Sequence, residues 1–244
     1  AGMQGTAAAY DLIQHGGARE LTLADADPRR LRAAGERLAA LTGFGALRTL
    51  RLDAADGQAL AAALAPADVC LSALPYRFAL DVTRAALDAR THLLDLGGNT
   101  ELALQQAALQ AAHKNGAELS VLPDCGLMPG LGNLLVAHAL GELGDLASCR
   151  LRCGGLPQRP RPPLDYQLVF SAEGLINEYF GRAEVLRGGR LEAVPTFTEL
   201  ETLEVEGLGR LEAFITSGGL STVPRSFAGR IQDLDYKTAR YPGH

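Results

Sequence analysis

The chain lacks most of what would take it to a membrane, to nucleic acid or out of the cell. No window approaches the ~18 unbroken apolar residues that a membrane span requires. No basic stretch followed by an apolar run marks an export signal. Positive charge is not in excess: 23 basic against 28 acidic residues give a net charge of −5, so DNA or RNA has no electrostatic footprint to meet. Lysine is almost missing, since Lys114 and Lys237 are the only two. Cysteine is sparse. Cys70, Cys125, Cys149 and Cys153 form no C-x-x-C pair and have no histidine at zinc spacing, so no metal site is expected. Buried or site-lining thiols in a reducing, cytoplasmic setting fit that usage better than a disulfide framework.

What is present is an ordinary globular composition, 47% hydrophobic and 21% charged over 244 residues. That is enough apolar material for one large domain or two modest ones. The first half alternates between short apolar strands (20–24, 47–52, 67–72, 92–96 and 117–122) and helices (7–14, 28–41, 56–64, 77–89 and 101–115). Asp27 is placed to cap the second helix and Pro28 to open it. Strands separated by helices of these lengths imply right-handed crossovers and a parallel sheet. The fold expected for residues 1–124 is therefore α/β, a Rossmann-type doubly wound sheet.

The texture changes after Pro123. One more helix (129–143) and a strand (148–153) lead into a loop holding Pro157, Pro160, Pro162 and Pro163. Strand-like segments follow at 166–170, 183–186, 200–205 and 210–215, with Gly188-Gly189 as a hairpin turn. Residues 125–244 read as an α+β domain for substrate binding and dimerisation. The chain opens inside a glycine motif with no strand before it and stops without a closing helix. A segment is expected on that ground, its first Rossmann strand missing and its second domain cut short.

Ala1-Gly2-Met3-Gln4-Gly5 fits the tail of G-x-G-x-x-G. Gly2 would let the backbone approach a pyrophosphate, and Gly5 would let a helix pack closely on the sheet. Free N–H groups at the start of that helix, Met3 and Gln4 among them, favour an anion. Asp25 follows the next strand, about 20 residues past Gly5. A carboxylate there accepts from both ribose hydroxyls of an adenosine and repels a 2′-phosphate, so NAD is favoured over NADP; Arg29 and Arg30 nearby are the counter-argument, although both can sit on the solvated face of their helix. The bland alternative for Asp25 is a helix cap. Asp53 is a candidate for the adenine edge or a turn residue. Three further loops end successive strands and collect on one sheet edge: Ser72-Ala73-Leu74-Pro75-Tyr76, Gly97-Gly98-Asn99, and Asp124-Cys125. They complete the expected cofactor cleft.

At these residues the sequence resembles the saccharopine dehydrogenase-like reductases, and most closely their lysine 6-dehydrogenase branch. The resemblance rests on Ala73-Leu74-Pro75-Tyr76, Asp95-Leu96-Gly97-Gly98-Asn99-Thr100-Glu101 and Pro123-Asp124-Cys125-Gly126-Leu127-Met128-Pro129-Gly130. It continues through Gly154-Gly155-Leu156-Pro157, residues 170–179 (FSAEGLINEY), residues 216–222 (TSGGLST) and residues 235–244 (DYKTARYPGH). It implies oxidative deamination of the 6-amino group of L-lysine with NAD, the semialdehyde product cyclising to piperideine-6-carboxylate. The resemblance also implies that Arg240 holds the substrate carboxylate, for which a guanidinium fork is suited.

Oxidising a primary amine by hydride transfer needs the neutral amine, so a base must take the ammonium proton. Asp124 at a strand end, or Lys237 with a pKa lowered by burial, are the candidates; Lys237 can alternatively fix a carboxylate as a point charge. Tyr76 or His244 can relay a proton. Glu173, Asn177 and Thr216 or Ser217 are candidates to recognise the α-amino group or line the substrate pocket, with His244 also a substrate-binding candidate, although Glu173 equally suits the start of a helix opened by Ser171. Two other readings stand beside the lysine deaminase. One is a saccharopine or carboxynorspermidine-type reductase, whose substrates carry more carboxylates and need more arginines, with Arg77, Arg152 and Arg225 as additions to Arg240. The other is a non-catalytic NAD sensor. A small amino-acid substrate and a homodimer are the expected partners.

Overall fold

The computed structural model describes every residue except Val169, and the chain divides into two compact units. Unit 1 comprises Ala1–Asp95 and Gln105–Pro123; unit 2 comprises Leu96–Leu104 and Asp124–His244.

In unit 1, helices α1 (Met3–Gln14), α2 (Pro28–Thr42), α3 (Gly57–Leu64) and α4 (Ala79–Ala89) alternate with strands β1 (Leu21–Asp25), β2 (Leu47–Arg51), β3 (Val69–Ser72) and β4 (His92–Asp95). Helix α5 (Thr100–Ala112) and the short β5 (Val121–Leu122) follow. All pairings are parallel: β1 with β2, and β3 with β4 with β5. The local chemistry accounts for the boundaries. Asp27 accepts the Arg29 N–H at 2.8 Å to cap α2, Pro28 takes its first turn, and Gly43 ends it in a left-handed conformation. Asp56 caps α3 in the same way. Alternation leaves Leu60, Leu64, Val82, Leu87, Leu93 and Val121 in one core cluster, and Ala9, Leu23, Leu31 and Leu38 in another. Each leucine so buried stabilises by about 1.5–3 kcal/mol.

Three expectations shift here. Helix α1 starts at Met3 rather than Ala7, because Met, Gln and the alanines favour helix and outweigh one glycine and one threonine. Residues 76–78 form a separate 3-10 turn ahead of α4. The last expected strand shrinks to Val121–Leu122, since 116–118 turn as 3-10 helix.

Unit 2 is built on one mixed sheet. Its strands are β6 (Leu146–Gly154), β7 (Arg182–Arg187), β8 (Arg190–Pro195), β9 (Glu201–Val205), β10 (Gly209–Ile215) and β11 (Ile231–Arg240). Helices α6 (Leu131–Leu143), α7 (Ala172–Tyr179) and the one-turn α8 (Val223–Ser226) complete it. The order is β8-β7-β11-β10-β9, with β6 also paired to β11. Strand β6 runs parallel to β11 from Ile231 to Ala239; β7 and β10 meet the other edge in antiparallel fashion. Gly188 and Gly189, both with positive φ, turn β7 into β8.

The centre of this sheet, β11, is not expected from sequence, where residues 235–241 read only as a Tyr/Thr/Arg-rich run. It carries Asp233, Asp235, Lys237 and Arg240 where a central strand usually shows an apolar run. The expected strand at 166–170 is absent at Tyr166–Leu168; Val169 lies outside the described residues.

Strand alternation gives β11 two chemistries. Tyr236, Thr238 and Arg240 share one face. Asp235 and Lys237 share the other, where three cations meet three carboxylates. There Arg152 pairs with Glu201 and with Asp235 (2.6 Å), Arg187 with Glu199 (2.8 Å) and Asp235 (3.3 Å), and Lys237 with Glu201 (3.0 Å).

Candidate functional site

In unit 1 the candidate nucleotide site gathers around the start of α1. Gly2 is the N-cap, extended at φ −73° and ψ −176°, and no side chain caps the helix. The first helical bond runs from Thr6 N–H to Gly2 O at 2.9 Å, so the amides of Met3, Gln4 and Gly5 precede it. A Cβ on Gly2 would meet nothing within 4 Å, whereas one on Gly5 would stand 3.4 Å from the Ala73 Cβ. Gly5 thus lets α1 pack against the loop after β3, while Gly2 leaves the helix mouth open.

Asp25, at the end of β1, reaches this mouth. Its carboxylate accepts from the Ala1 nitrogen at 2.8 Å and from the Asp27 N–H at 2.8 Å. Burial alone would raise its pKa, but the hydrogen bonds it accepts and the nearby Arg30 charge hold the carboxyl below its ordinary value. A helix mouth free of side-chain caps, with an ionised carboxylate beside it, fits a dinucleotide whose phosphate meets the amides and whose ribose meets Asp25.

Asp53 is exposed and accepts the Ala55 N–H at 3.0 Å, so it closes the turn between β2 and α3. Ser72 is buried at the end of β3, Ala73 and Leu74 are exposed, and Pro75 and Tyr76 lead half-buried into the 3-10 turn.

The remaining sequence candidates lie in unit 2. Gly97 (φ +69°), Gly98 (φ +116°) and Asp124 (φ +63°) are all left-handed. A Cβ on Gly97 would stand 2.0 Å from Asp124 Oδ1, so only glycine fits there. Ser221 Oγ donates to Asp124 Oδ2, and Asp124 is buried. Asn177 clamps the same loop: its Nδ2 donates to Gly98 O at 2.6 Å, and its Oδ1 accepts from Asn99 at 3.4 Å. Asn99 in turn accepts the Leu102 N–H at 3.1 Å in the first turn of α5. Cys125 is exposed beside Asp124.

A cavity of about 450 Å³ opens within this unit, lined by Asn99, Asn177, Thr216, Ser217, Ser221 and Tyr236 among others. A Cβ on Gly219 would strike the Tyr236 ring at 2.2 Å, so glycine is needed to seat that ring. The Thr216 and Thr238 hydroxyls meet at 2.7 Å, and Thr238 donates to the Tyr236 hydroxyl at 3.1 Å. Ser217 is turned back onto the helix, donating to Asn177 O.

Beyond Tyr236 on the same sheet face stands Arg240, 3% exposed. Its Nε donates to the Tyr179 hydroxyl at 3.0 Å and its Nη1 to Ala239 O at 3.1 Å; the guanidinium lies 4.7 Å over the Tyr166 ring. His244 Nδ1 donates to Leu164 O at 2.9 Å, so in the neutral ring Nε2 is the acceptor for the Tyr179 hydroxyl at 2.7 Å. Glu178, in the last turn of α7, faces the Arg240 Nη2 at 3.8 Å. Burial pushes the Glu178 carboxyl up to about 7, and Arg240 offsets only part of that. Burial also raises the Tyr166, Tyr179 and Tyr236 phenols and the Cys153 thiol around it.

Lys237 is not part of this site. It points to the opposite face of β11, where its ammonium donates to Glu199 O at 2.6 Å and Glu201 Oε2 at 3.0 Å. The proton-acceptor and carboxylate-holding roles both fail for the same reason: the group is already spent in the ion-pair network. Glu173 stands half-buried in the first turn of α7, where the helix dipole favours a carboxylate, while Ser171 makes the cap bond to Gly174 N–H at 3.0 Å. Tyr76 belongs to unit 1.

Glu178, Tyr179 and Tyr166 were not singled out from sequence. One signal for Glu178 existed: an acid in the last turn of a helix opposes the helix dipole, so a role outside helix stability is expected.

Comparisons with known proteins agree in kind. The sequence model of the saccharopine dehydrogenase NADP binding domain matches residues 1–121, and that of the saccharopine dehydrogenase C-terminal domain matches residues 126–244. The saccharopine dehydrogenase [NADP(+), L-glutamate-forming] of Saccharomyces cerevisiae is 29% identical over 153 residues, covering 60% of this chain and 33% of that protein. Its namesake from Pyricularia oryzae is 27% identical, covering 59% and 33%. The chain thus spans about a third of the length of the curated relatives it matches. Among solved structures, the apo saccharopine dehydrogenase (L-Glu forming) of S. cerevisiae shares the fold at a TM-score of 0.72 and 22% identity, over 98% of this chain and 53% of that one.

Proposed function

The chain belongs to the saccharopine dehydrogenase family, and on that premise we propose that it is a nicotinamide-dependent oxidoreductase acting on a carbon–nitrogen bond of an amino acid. The more specific reading is oxidative deamination of the 6-amino group of L-lysine with NAD. When bound, the cofactor supplies the hydride acceptor. The protein's own residues do the rest: the α1 amides face the phosphates, Asp25 accepts from the ribose hydroxyls, and Arg240 holds the substrate carboxylate. Asp124, fixed by Ser221 and Gly97, is the proposed acceptor for the ammonium proton.

The observation that carries the substrate reading is the state of the arginines. A substrate with several carboxylates needs several guanidinium groups, and the candidates other than Arg240 are engaged. Arg152 is held by Glu201 and Asp235, Arg225 by Glu184 in bidentate fashion, and Arg77 stacks on Phe78. Arg240 is buried and hydrogen-bonds to no carboxylate, Glu178 facing it at 3.8 Å, which supports a substrate with one carboxylate to bind.

A second reading, NADP-linked turnover of saccharopine, is favoured by the activity for which the relatives are named. Against it, Asp25 at the α1 mouth would repel a 2′-phosphate. A homodimer through the strand-rich surface of unit 2 belongs to the proposal, with light scattering as its check. So does a cytoplasmic setting, which the four free thiols support; among the described residues no helix is long and apolar enough to cross a membrane. The function is tested with Arg240→Leu. It should raise KM for the amino acid by roughly 100-fold or more while leaving NAD affinity unchanged; an unchanged KM would remove Arg240 from substrate binding.

A further inference from the structure

Three polar groups around Arg240 are left without hydrogen bonds among the described residues. The Tyr166 hydroxyl is buried and finds no partner. The Arg240 Nη2 makes no hydrogen bond, its nearest carboxylate oxygen standing 3.8 Å away. The Glu178 carboxylate likewise receives no hydrogen bond, although its side chain is only 27% exposed. Buried polar groups are nearly always satisfied, and each exception asks for an explanation. A cation and an anion at this separation are too far apart to hydrogen-bond each other and close enough to address one small ligand together.

The ligand that matches is a zwitterion. An α-amino acid carries its carboxylate and its ammonium on a single carbon, similarly close together and of opposite order to Arg240 and Glu178. Resting on the reading of Arg240 as the carboxylate holder, we propose that Arg240 and Glu178 form a paired clamp for the head of a free α-amino acid, Arg240 taking the carboxylate and Glu178 the α-ammonium. Tyr179 positions the guanidinium by accepting from Nε, and the Tyr166 hydroxyl supplies a further donor beside the bound carboxylate. Recognition by both charges disfavours ligands with only one of them, since an unpaired partner charge would then stay buried.

Binding, measured by calorimetry with NAD present, tests this with three probes. L-Lysine has both head groups, 6-aminohexanoate lacks the α-ammonium, and pentane-1,5-diamine lacks the carboxylate. Glu178→Gln should weaken L-lysine by roughly 10- to 100-fold without weakening 6-aminohexanoate, which has no α-ammonium for Glu178 to pair with. Lysine affinity of the unmodified protein should also fall as pH drops below about 7, as Glu178 takes a proton, and the variant should lose that dependence. The groups facing Glu178 are Arg240 and Tyr236 of β11, Cys153 of β6, Tyr179 of α7 and Tyr166. Of the shifted groups, the thiol and the phenols are moved upward, away from that pH range. Should Glu178→Gln fail to fold, Glu178→Asp retains the charge one bond further back and should give an intermediate loss.

Equal weakening of lysine and 6-aminohexanoate, or no effect on either, would overturn the clamp. If lysine does not bind but another L-α-amino acid binds with the same dependence on Glu178, the clamp stands and the lysine reading falls. If NAD binds and no α-amino acid does, the clamp itself falls.

Discussion

Arg240 and Tyr179 are joined by a 3.0 Å hydrogen bond from the guanidinium Nε to the phenolic oxygen. That bond fixes which edge of a buried cation is presented to a ligand, and His244 completes the chain by accepting from the same hydroxyl. Tyr179→Phe keeps the ring and removes the bond. It should raise KM for the amino acid by roughly 5- to 20-fold, the equivalent of about 1–2 kcal/mol, with a smaller change in kcat. Steady-state kinetics separates the two; a loss confined to kcat would move Tyr179 from positioning to chemistry.

Gly97 and Asp124 are similarly interdependent. With φ at +69° and a Cβ 2.0 Å from Asp124 Oδ1, Gly97→Ala strains the backbone and displaces the carboxylate. Thermal unfolding should register a loss of about 2 kcal/mol or more. Gly141→Ala is the matched control, because that glycine lies inside α6 with nothing within 4 Å. It should stabilise by up to about 1 kcal/mol. Equal behaviour of the two variants would contradict the packing described.

Lys237→Met separates structure from catalysis. Removing one cation leaves Glu201 with Arg152 alone and costs about 2–4 kcal/mol of stability. Activity per folded molecule should persist, with its pH profile unmoved. Complete loss of turnover in a fully folded variant would restore Lys237 as a proton acceptor.

Glu178 has a folded pKa raised above its unfolded value, to about 7. The sign follows from linkage: its contribution is most favourable below the unfolded carboxylate range and is lost as pH rises through about 7. Glu178→Gln should therefore raise Tm at pH 8 by an amount reflecting about 1–3 kcal/mol, and the gain should shrink toward pH 5. A variant less stable than the parent at pH 8 would mean that the carboxylate holds the fold together rather than being held by it.

The parts of the molecule legible in the sequence are those where local chemistry and environment agree. Asp27, Pro28 and Asp56 mark helix starts by their own side chains, and Gly188-Gly189 requires left-handed backbone. Strand β11 was illegible because its charges are satisfied by Arg152, Arg187, Glu199 and Glu201 from distant positions. Lys237 drew notice for being rare, but rarity says nothing about which face of a strand it occupies. Glu178 escaped notice for the converse reason. Its neighbours Arg240, Tyr166 and Tyr236 come from other segments of the chain, and only their assembly makes one helical glutamate unusual.

The most direct test of the account is the initial rate of near-ultraviolet absorbance gain when the protein meets a nicotinamide dinucleotide and an amino acid. NAD and NADP are crossed with L-lysine and saccharopine in the same series. The account predicts reduction of NAD with L-lysine, and little with NADP or with saccharopine. Turnover confined to NADP and saccharopine would contradict both the role given to Asp25 and the single-carboxylate reading of Arg240.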